Sequence, residues 1–168
     1  RYQRTNNNKG ANLRHVSGGL IQCFEKFGMK ITKTGTDLIV DGTGDLFIDP
    51  KESGFPLAGE DLPKLVPRPW PGFPIDALPA MVTLACKTKG RLLIQNWMYE
   101  TGLDFIRELS SMGANIFMAD PQRIIVTGPV KFTGGKVASP SVIQACKAIF
   151  LAGLADPVET TIVGSDIL

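Results

Sequence analysis

Residues 112–128, MGANIFMADPQRIIVTG, repeat the pattern of residues 27–42, FGMKITKTGTDLIVDG. In each copy the second residue is glycine, where a preceding helix would end on a residue that accepts positive φ. Two short apolar runs separated by a turn follow, which is typical of a pair of strands. The stretches 76–94 and 141–163 share a second pattern, a helix followed by a strand. Together these stretches indicate a repeating unit of helix, strand, helix, strand, strand, present as one whole copy flanked by partial ones.

Such a unit cannot bury its own apolar helix faces. Several copies are therefore expected to pack their helices together in the centre, with the sheets outside. An ordinary two-layer α+β sandwich would produce the same order of helices and strands, and it remains an alternative at this point. Either way the fold class is α+β, built from α/β repeats.

Apolar periodicity and turn residues predict the individual elements. Helices are predicted at 13–27, at 76–86, from a start signal at Thr101 to Gly113, and after an N-cap at Ser139. Strands are predicted at residues 29–32, 37–40, 91–95, 114–118, 123–127 and 160–163.

Changes in composition along the sequence indicate how the chain is divided. Residues 1–12 are polar and have no apolar period, so they are expected to be disordered or a linker stub. Residues 13–168 are expected to form a single domain with internal helix–strand repeats. Within it, residues 43–75 are rich in proline, which breaks helices and interrupts strand pairing. This segment is predicted to be an extended connection with one short strand at 46–48.

Composition limits the class of protein. The 168 residues include 18 basic and 16 acidic side chains and are 43% hydrophobic, which fits one soluble domain with a buried core. The nearly balanced charge argues against nucleic acid or a membrane as partner, and no apolar run approaches the ~20 residues of a membrane span. Without a signal-peptide pattern, the expected location is the cytoplasm. Cys23, Cys86 and Cys146 are expected to be buried free thiols in a reducing compartment.

Several kinds of active site are disfavoured by what the sequence lacks. His15 is the only histidine and has no evident serine or cysteine partner, which argues against a histidine-activated nucleophile. No spacing of cysteine, histidine or acidic residues indicates a metal site, so neither a metal nor a cofactor is expected. The paired glycines at 18–19 and 134–135 lack the context of a phosphate-binding loop.

One acidic residue stands out at the end of a stiff approach, Pro71-Gly72-Phe73-Pro74-Ile75-Asp76. Asp76 would lie at the first turn of an apolar helix, where the helix dipole favours an anion, so it could simply cap the helix. The rigid loop could instead hold the carboxylate in fixed geometry as a general base or as an acceptor for a hydroxyl group. Position alone leaves both interpretations open.

PGFPIDALPAMVTLA at 71–85, Tyr99-Glu100, GLDFIRELSSMGANI at 102–116 and LAGLA at 151–155 resemble the C-terminal-half domain of the enolpyruvyl transferases. The likeness runs from about Leu13 to Ile167. It implies an inside-out α/β barrel with central helices and outer sheets, which agrees with the repeat. The family's enzymes have two such domains, so the resemblance implies a second domain that is missing from these 168 residues.

The resemblance also implies a reaction and its residues. Asp76 would be the catalytic residue, accepting the proton of, or orienting, the sugar hydroxyl that attacks phosphoenolpyruvate. Met98, Tyr99 and Glu100 would bind the sugar nucleotide, UDP-N-acetylglucosamine, in the synthesis of peptidoglycan precursors. The isolated domain is expected to be inactive, because its partner domain completes the site.

The chain departs from the family at positions that hold phosphate and carboxylate. Where the family has an arginine after the Tyr99-Glu100 strand end, this chain has Thr101 and Gly102, and Val142 and Gln144 replace an Asp-x-Arg motif. Losing a buried charge-assisted contact is costly. A degenerate homologue acting as a binding or structural module is therefore one alternative. Another is the shikimate-pathway member of the family, which transfers to 3-phosphoshikimate.

Overall fold

The computed structural model describes residues 6–8, 18–35, 37–53 and 62–166. The helices in these ranges are α1 (Gly18–Lys26), α2 (Leu78–Lys87), α3 (Ile106–Ser111) and α4 (Ile143–Ala155), and short 3-10 turns lie at Pro50–Ser53 and Ile75–Ala77. The strands are β1 (Asn6–Asn8), β2 (Lys30–Thr34), β3 (Asp37–Asp41), β4 (Lys64–Leu65), β5 (Gly90–Gln95), β6 (Ile116–Asp120), β7 (Arg123–Gly128), β8 (Gly135–Ala138) and β9 (Thr160–Val163).

The strands form three sheets, in the orders β1-β3-β2, β4-β5-β7-β6 and β8-β9. Helix α1 is followed by the antiparallel pair β2/β3, and α3 is followed by the antiparallel pair β6/β7. Helices α2 and α4 each lie in sequence between two parallel strands, β4/β5 and β8/β9. The repeat predicted from the sequence is therefore present in the topology as two copies of each half-unit.

Helix α2 forms the centre of the core. It packs against α4 and also against β5 and β7 of the four-stranded sheet. Contact on more than one side explains why seven of its residues are buried: Leu78, Pro79, Met81, Val82, Thr83, Ala85 and Cys86. Helix α4 is less covered, since Phe150, Leu151 and Leu154 on its surface are exposed. The described residues thus show mixed helices and sheets around a largely buried helix, without a closed barrel.

The proline-rich segment and the chain start differ from the expectations. Asn6–Asn8, within the stretch expected to be unstructured, pair with β3, because an edge strand needs only main-chain groups and no apolar side chains. Residues 46–48 form an isolated bridge from Phe47 to Lys89 rather than a strand, whereas Lys64–Leu65 form β4. The predicted helix start at Leu13 lies outside the described residues.

Two predicted helix starts were wrong. Thr101 begins a turn that buries Leu103 and Phe105, and α3 starts only at Ile106 with no side-chain cap. The N–H of Ser139 donates to the carbonyl oxygen of Val163 at 2.8 Å, so Ser139 continues the pairing of β8 with β9. Helix α4 starts three residues later than a cap at Ser139 would place it, with Val142 at the N-cap position.

An ion pair ties the end of α2 to the segment after α4. Lys87 Nζ lies 2.7 Å from Asp156 Oδ2 and also donates to the carbonyl oxygen of Val130 at 2.9 Å. The N–H of Phe132 donates to the same carboxylate at 2.7 Å. Burial by itself would raise the pKa of Asp156, but the hydrogen bonds from Lys87 and Phe132 and the nearby positive charge outweigh it, so this pKa lies below its usual value.

The three cysteines are buried free thiols. Burial, only slightly offset by nearby lysines, raises the pKa of Cys23 and that of Cys86 to about 12. Cys146 accepts a hydrogen bond from the Ser139 hydroxyl at 3.0 Å. None of the helices in the described ranges has the length and apolar character needed to cross a bilayer.

Candidate functional site

A cleft of about 220 Å³ lies where the N-terminal ends of α2 and α4 meet the loop after β5. Three parts of the chain form its walls. They are the 3-10 turn with the first turn of α2, the loop that follows β5, and the start of α4. Its lining residues are Ile75, Asp76, Pro79, Asn96, Tyr99, Thr101, Gly102, Val142 and Gln144. We refer to it as the Asp76 cleft.

The approach to Asp76 is held by the main chain. The N–H of Arg68 donates to the carbonyl oxygen of Phe73 at 2.9 Å, and the N–H of Gly72 donates to that of Pro69 at 2.8 Å. Phe73 is buried in the core and anchors the loop. Gly19 of α1 donates its N–H to the carbonyl oxygen of Pro71 at 3.2 Å. The hydrogen bonds within the loop, the buried Phe73 side chain and the contact with α1 together fix the backbone that leads to Asp76.

The Asp76 carboxylate is exposed and makes no hydrogen bond or ion pair within the described ranges. It lies inside the 3-10 turn Ile75–Ala77, whose N-cap position is Pro74, and no side chain caps either this turn or α2. Of the two interpretations left open by the sequence, side-chain capping by Asp76 is therefore wrong. Its oxygen lone pairs remain available to a group that enters the cleft.

Asn96 follows β5 directly and is almost fully buried, with 2% of its surface exposed. Its Oδ1 accepts the N–H groups of Met98 and Tyr99, at 3.3 and 3.2 Å. These two bonds fix the amide plane and leave the Nδ2 group on the opposite side, against Gly102. Sequence reasoning missed Asn96; the signal available was a polar residue directly after a largely apolar strand, which is weak.

Of the three residues predicted to bind the sugar nucleotide, one lines the cleft. Tyr99 lines the cleft with Asp76, and its side chain is half exposed. Met98 and Glu100 belong to the same loop and are exposed, but they are not among the lining residues. Trp97 fixes the position of this loop, because its Nε1 donates a hydrogen bond to the carbonyl oxygen of Pro67 at 2.9 Å.

The four positions at which the sequence is expected to depart from the family pattern border this cleft. Thr101, Gly102, Val142 and Gln144 lie around Asp76, although they come from two separate parts of the sequence. Among the residues that the structure describes, none that lines the cleft is a lysine, arginine or histidine. Asp76 is thus the single charged side chain among the described lining residues, and the partial positive charge of the N-terminal ends of α2 and α4 favours an anion there.

The described residues contain no group of three or more histidine, cysteine or acidic side chains placed to hold a metal ion. The cleft itself offers one carboxylate, two side-chain amides, a hydroxyl and a phenol. Such a set can accept a proton, donate hydrogen bonds to oxygen atoms and orient a hydroxyl group.

Comparisons with known proteins give a consistent picture. No family model matches the chain. It is 34% identical over 143 residues to UDP-N-acetylglucosamine 1-carboxyvinyltransferase of Bradyrhizobium diazoefficiens, which covers 85% of this chain and 32% of that protein. The protein of the same name from Bacteroides thetaiotaomicron is 31% identical over 155 residues, covering 90% of this chain and 34% of its own length. The chain spans about a third of the length of these relatives.

Solved structures agree on the fold. The enolpyruvyl transferase NikO from Streptomyces tendae matches with a TM-score of 0.75 at 18% identity, over 96% of this chain and 34% of that one. EPSP synthase from Acinetobacter baumannii matches with a TM-score of 0.64 at 17% identity, over 98% of this chain and 38% of that one. The chain therefore has the fold of part of an enolpyruvyl transferase.

Proposed function

We propose that this chain, a homologue of part of the UDP-N-acetylglucosamine 1-carboxyvinyltransferases, forms one side of a site that transfers an enolpyruvyl group. The group would pass from phosphoenolpyruvate to a hydroxyl of a sugar nucleotide, UDP-N-acetylglucosamine, in peptidoglycan precursor synthesis in the cytoplasm. The observation that carries the proposal is the free Asp76 carboxylate on the wall of a cleft. Homology over 85% of the chain supplies the reaction class.

The chemistry assigned to Asp76 is proton transfer. As the sugar hydroxyl oxygen forms a bond to C2 of phosphoenolpyruvate, Asp76 takes the hydroxyl proton and C3 gains a proton from an acid. The conjugate base of that acid then removes a proton from C3 of the tetrahedral intermediate as phosphate leaves from C2, which restores the double bond. A positioned carboxylate contributes to such a step typically ~10²- to 10⁴-fold, provided that the carboxylate is not engaged elsewhere.

The loop after β5 is proposed to face the sugar nucleotide. Tyr99 supplies an aromatic face and a hydroxyl inside the cleft, while Met98 and Glu100 extend the same surface beyond it. Their anchoring through Asn96 and Trp97 supports a binding role, since a preorganised loop loses less entropy when a ligand binds.

We also propose that residues 13–168 form one domain and that further elements complete it. The resemblance implies an inside-out α/β barrel and a second domain across the cleft. The exposed apolar residues Phe150, Leu151 and Leu154 of α4 support additional covering elements, because a helix that is central in a barrel would bury such side chains. On this proposal the 168 residues alone release no phosphate from the substrates.

A second candidate is a homologue that binds ligand without turnover. The observation that favours it is that the described part of the cleft lining contains no cation, given that phosphoenolpyruvate carries both a phosphate and a carboxylate. A 3-phosphoshikimate acceptor has less support, because the likeness to EPSP synthase is one of fold alone.

The test is phosphate release by the natural full-length protein with phosphoenolpyruvate and UDP-N-acetylglucosamine. The Asp76→Asn variant should lose at least ~10²-fold in kcat. Asp104→Asn serves as the matched control, since Asp104 is an exposed carboxylate on a nearby turn and does not line the cleft. Calorimetric binding of the sugar nucleotide without phosphate release by the parent protein would support the second candidate instead.

A further inference from the structure

A groove of about 840 Å³ lies between α1 and the chain around β4, and no described residue lines both this groove and the Asp76 cleft. We propose that the groove binds an extended acidic peptide segment of a partner protein, which joins the sheet as an added strand beside β4. The inference concerns a surface outside the cleft and does not rest on the proposed function. Three features carry it: the open edge at β4, the position of α1, and unpaired cations.

In the described part of its sheet, β4 lies at the edge, with β5 on one side of it. The N–H of Leu93 donates to the carbonyl oxygen of Pro63 at 2.9 Å, and in this parallel register Leu65 directs its main-chain groups toward β5. Those of Lys64 and Val66 therefore face away from β5. Val66 makes no hydrogen bond to another described residue. An edge with unpaired main-chain groups is suited to pairing with a further strand.

The alternation of side chains continues beyond the two residues of β4. Pro63, Leu65 and Pro67 are buried, whereas Lys64 and Arg68 are exposed. Residues an even number apart on an extended chain share a face, so these two cations lie on one side, about 13 Å apart at ~3.3 Å per residue. A peptide laid along this edge, with an acidic residue at every second position, would present its carboxylates on that same side.

Helix α1 forms the other wall of the groove and is attached at both ends. The N–H of Gly19 donates to the carbonyl oxygen of Pro71 at 3.2 Å, and the N–H of Phe47 donates to that of Phe27 at 3.3 Å. Phe47 also bridges to Lys89 directly before β5. Lys89 directs its main-chain groups to the edge of β5 at which β4 lies, so α1 runs beside this open edge. The helix and the edge strand together enclose a space for one extended chain.

Three cations line the groove, Lys26 from the last turn of α1 and Lys64 and Arg68 from the opposite wall. None of them forms an ion pair with a described residue, and the described lining contains no acidic side chain. Asp49 lines a smaller adjoining cavity together with Lys26 and Lys64. Its Oδ1 accepts the N–H of Lys51 at 2.9 Å. An acidic segment is thus complementary to the groove in charge, and a basic one is disfavoured.

The experiment measures the fluorescence anisotropy of a labelled hexapeptide of alternating glutamate and valine with the natural full-length protein. A peptide with lysine in place of glutamate is the charge control, and we expect it to bind at least about tenfold more weakly. Lys64→Glu and Arg68→Glu should each weaken binding of the acidic peptide by a similar factor. Lys33→Glu makes the same change at an exposed strand lysine that does not line the groove, and it should leave the affinity unchanged.

Two N-methylated peptides test strand pairing separately from charge. One carries the methyl groups on the main-chain nitrogens of its valines and the other on those of its glutamates. Because a strand directs alternate N–H groups to opposite sides, we expect one version to lose binding and the other to retain it. Val66→Pro removes a main-chain donor that no described residue accepts, so it should weaken binding without lowering the melting temperature.

The inference is overturned if the acidic peptide does not bind at millimolar concentration or if the basic peptide binds as tightly. It is also overturned if the two N-methylated peptides bind alike, since cations alone would then hold an anion without strand pairing. A dimer in light scattering that Val66→Pro dissociates would show an interface between two copies instead and would likewise overturn it. Absence of phosphate release from the substrates bears on the Asp76 cleft alone and leaves this inference standing.

Discussion

Thr83 Oγ1 donates a hydrogen bond of 3.0 Å to the carbonyl oxygen of Ala148, across the buried contact between α2 and α4. Thr83 is buried; Asp76 lies in the 3-10 turn that leads directly into α2, and Gln144 lies in the first turn of α4. The bond therefore links the two walls of the cleft through the core rather than through the loops.

We expect Thr83→Val, which has nearly the same shape but no hydroxyl, to lower the free energy of unfolding by about 1 kcal/mol. Denaturant unfolding measures this change. Thr83→Ser is the matched control, because it keeps the hydroxyl while removing a methyl group. If the valine variant proves as stable as the parent, the hydrogen bond contributes nothing to the helix contact.

Gly19 lies against the loop that leads to Asp76. A Cβ at Gly19 would lie 2.6 Å from the carbonyl carbon of Gly72, whereas a Cβ at Gly18 would meet nothing within 4 Å. The obstacle is backbone that is fixed by the buried Phe73, so it cannot move aside as a flexible side chain would.

Gly19→Ala should accordingly destabilise the protein by roughly 1–3 kcal/mol and weaken any ligand binding that depends on Asp76. Gly18→Ala should be neutral or stabilising by up to ~1 kcal/mol, because alanine is the better helix former. Thermal unfolding of the two variants compares them directly. Equal stability of the two variants would mean that the loop does not rest on α1 in solution.

The sequence predicts those elements whose signal lies in neighbouring residues, and it misses those that depend on pairing between distant parts of the chain. Strand β9 was predicted with the bounds that the structure has, and Gly28 and Gly113 take positive φ as expected after their helices. At both helix ends the backbone requires a positive φ, and glycine is the residue type that adopts it readily. Strand β8 was missed because its partner β9 lies across the whole of α4, a pairing that no local pattern encodes.

The residues of the cleft also divide into those with a local sequence signal and those without one. Asp76 was found because its proline-rich approach is contiguous in the sequence, and Tyr99 because the family resemblance marked it. Asn96 was missed, since its placement depends on Gly102 leaving room for its Nδ2 group and on the turn that brings Met98 and Tyr99 back to its Oδ1. The capping signals at Thr101 and Ser139 failed because burial and strand pairing outweigh a cap worth ~1 kcal/mol.

Cys23 and Cys86 should be inert toward alkylation in the folded protein. Burial raises the pKa of each thiol to about 12, so the thiolate that reacts is nearly absent at neutral pH. Treatment with iodoacetamide at about pH 8, followed by mass spectrometry, should leave both unmodified while the same thiols react fully after denaturation. Rapid alkylation of either residue under native conditions would show that its surroundings open far more often than the packing implies.

The Lys87–Asp156 ion pair makes stability depend on pH in the acid range. Because the folded-state pKa of Asp156 lies below its ordinary value of 3.8, its contribution is fully present above that value and is lost as the pH falls through the folded pKa. Asp156→Asn should remove about 1–3 kcal/mol at neutral pH, since it breaks a charge-assisted contact whose side chains are only 26% and 15% exposed. Below the folded pKa, the variant and the parent should converge in stability.

The matched control is Asp120, whose pair with Arg123 is similarly short at 2.6 Å but much more exposed. Asp120→Asn should change the stability very little at any pH, because exposed pairs are screened by water and salt. Thermal unfolding of both variants from about pH 7 down to about pH 3 separates the two cases. If Asp156→Asn follows the parent at every pH, the ion pair does not stabilise the contact between the end of α2 and the segment after α4.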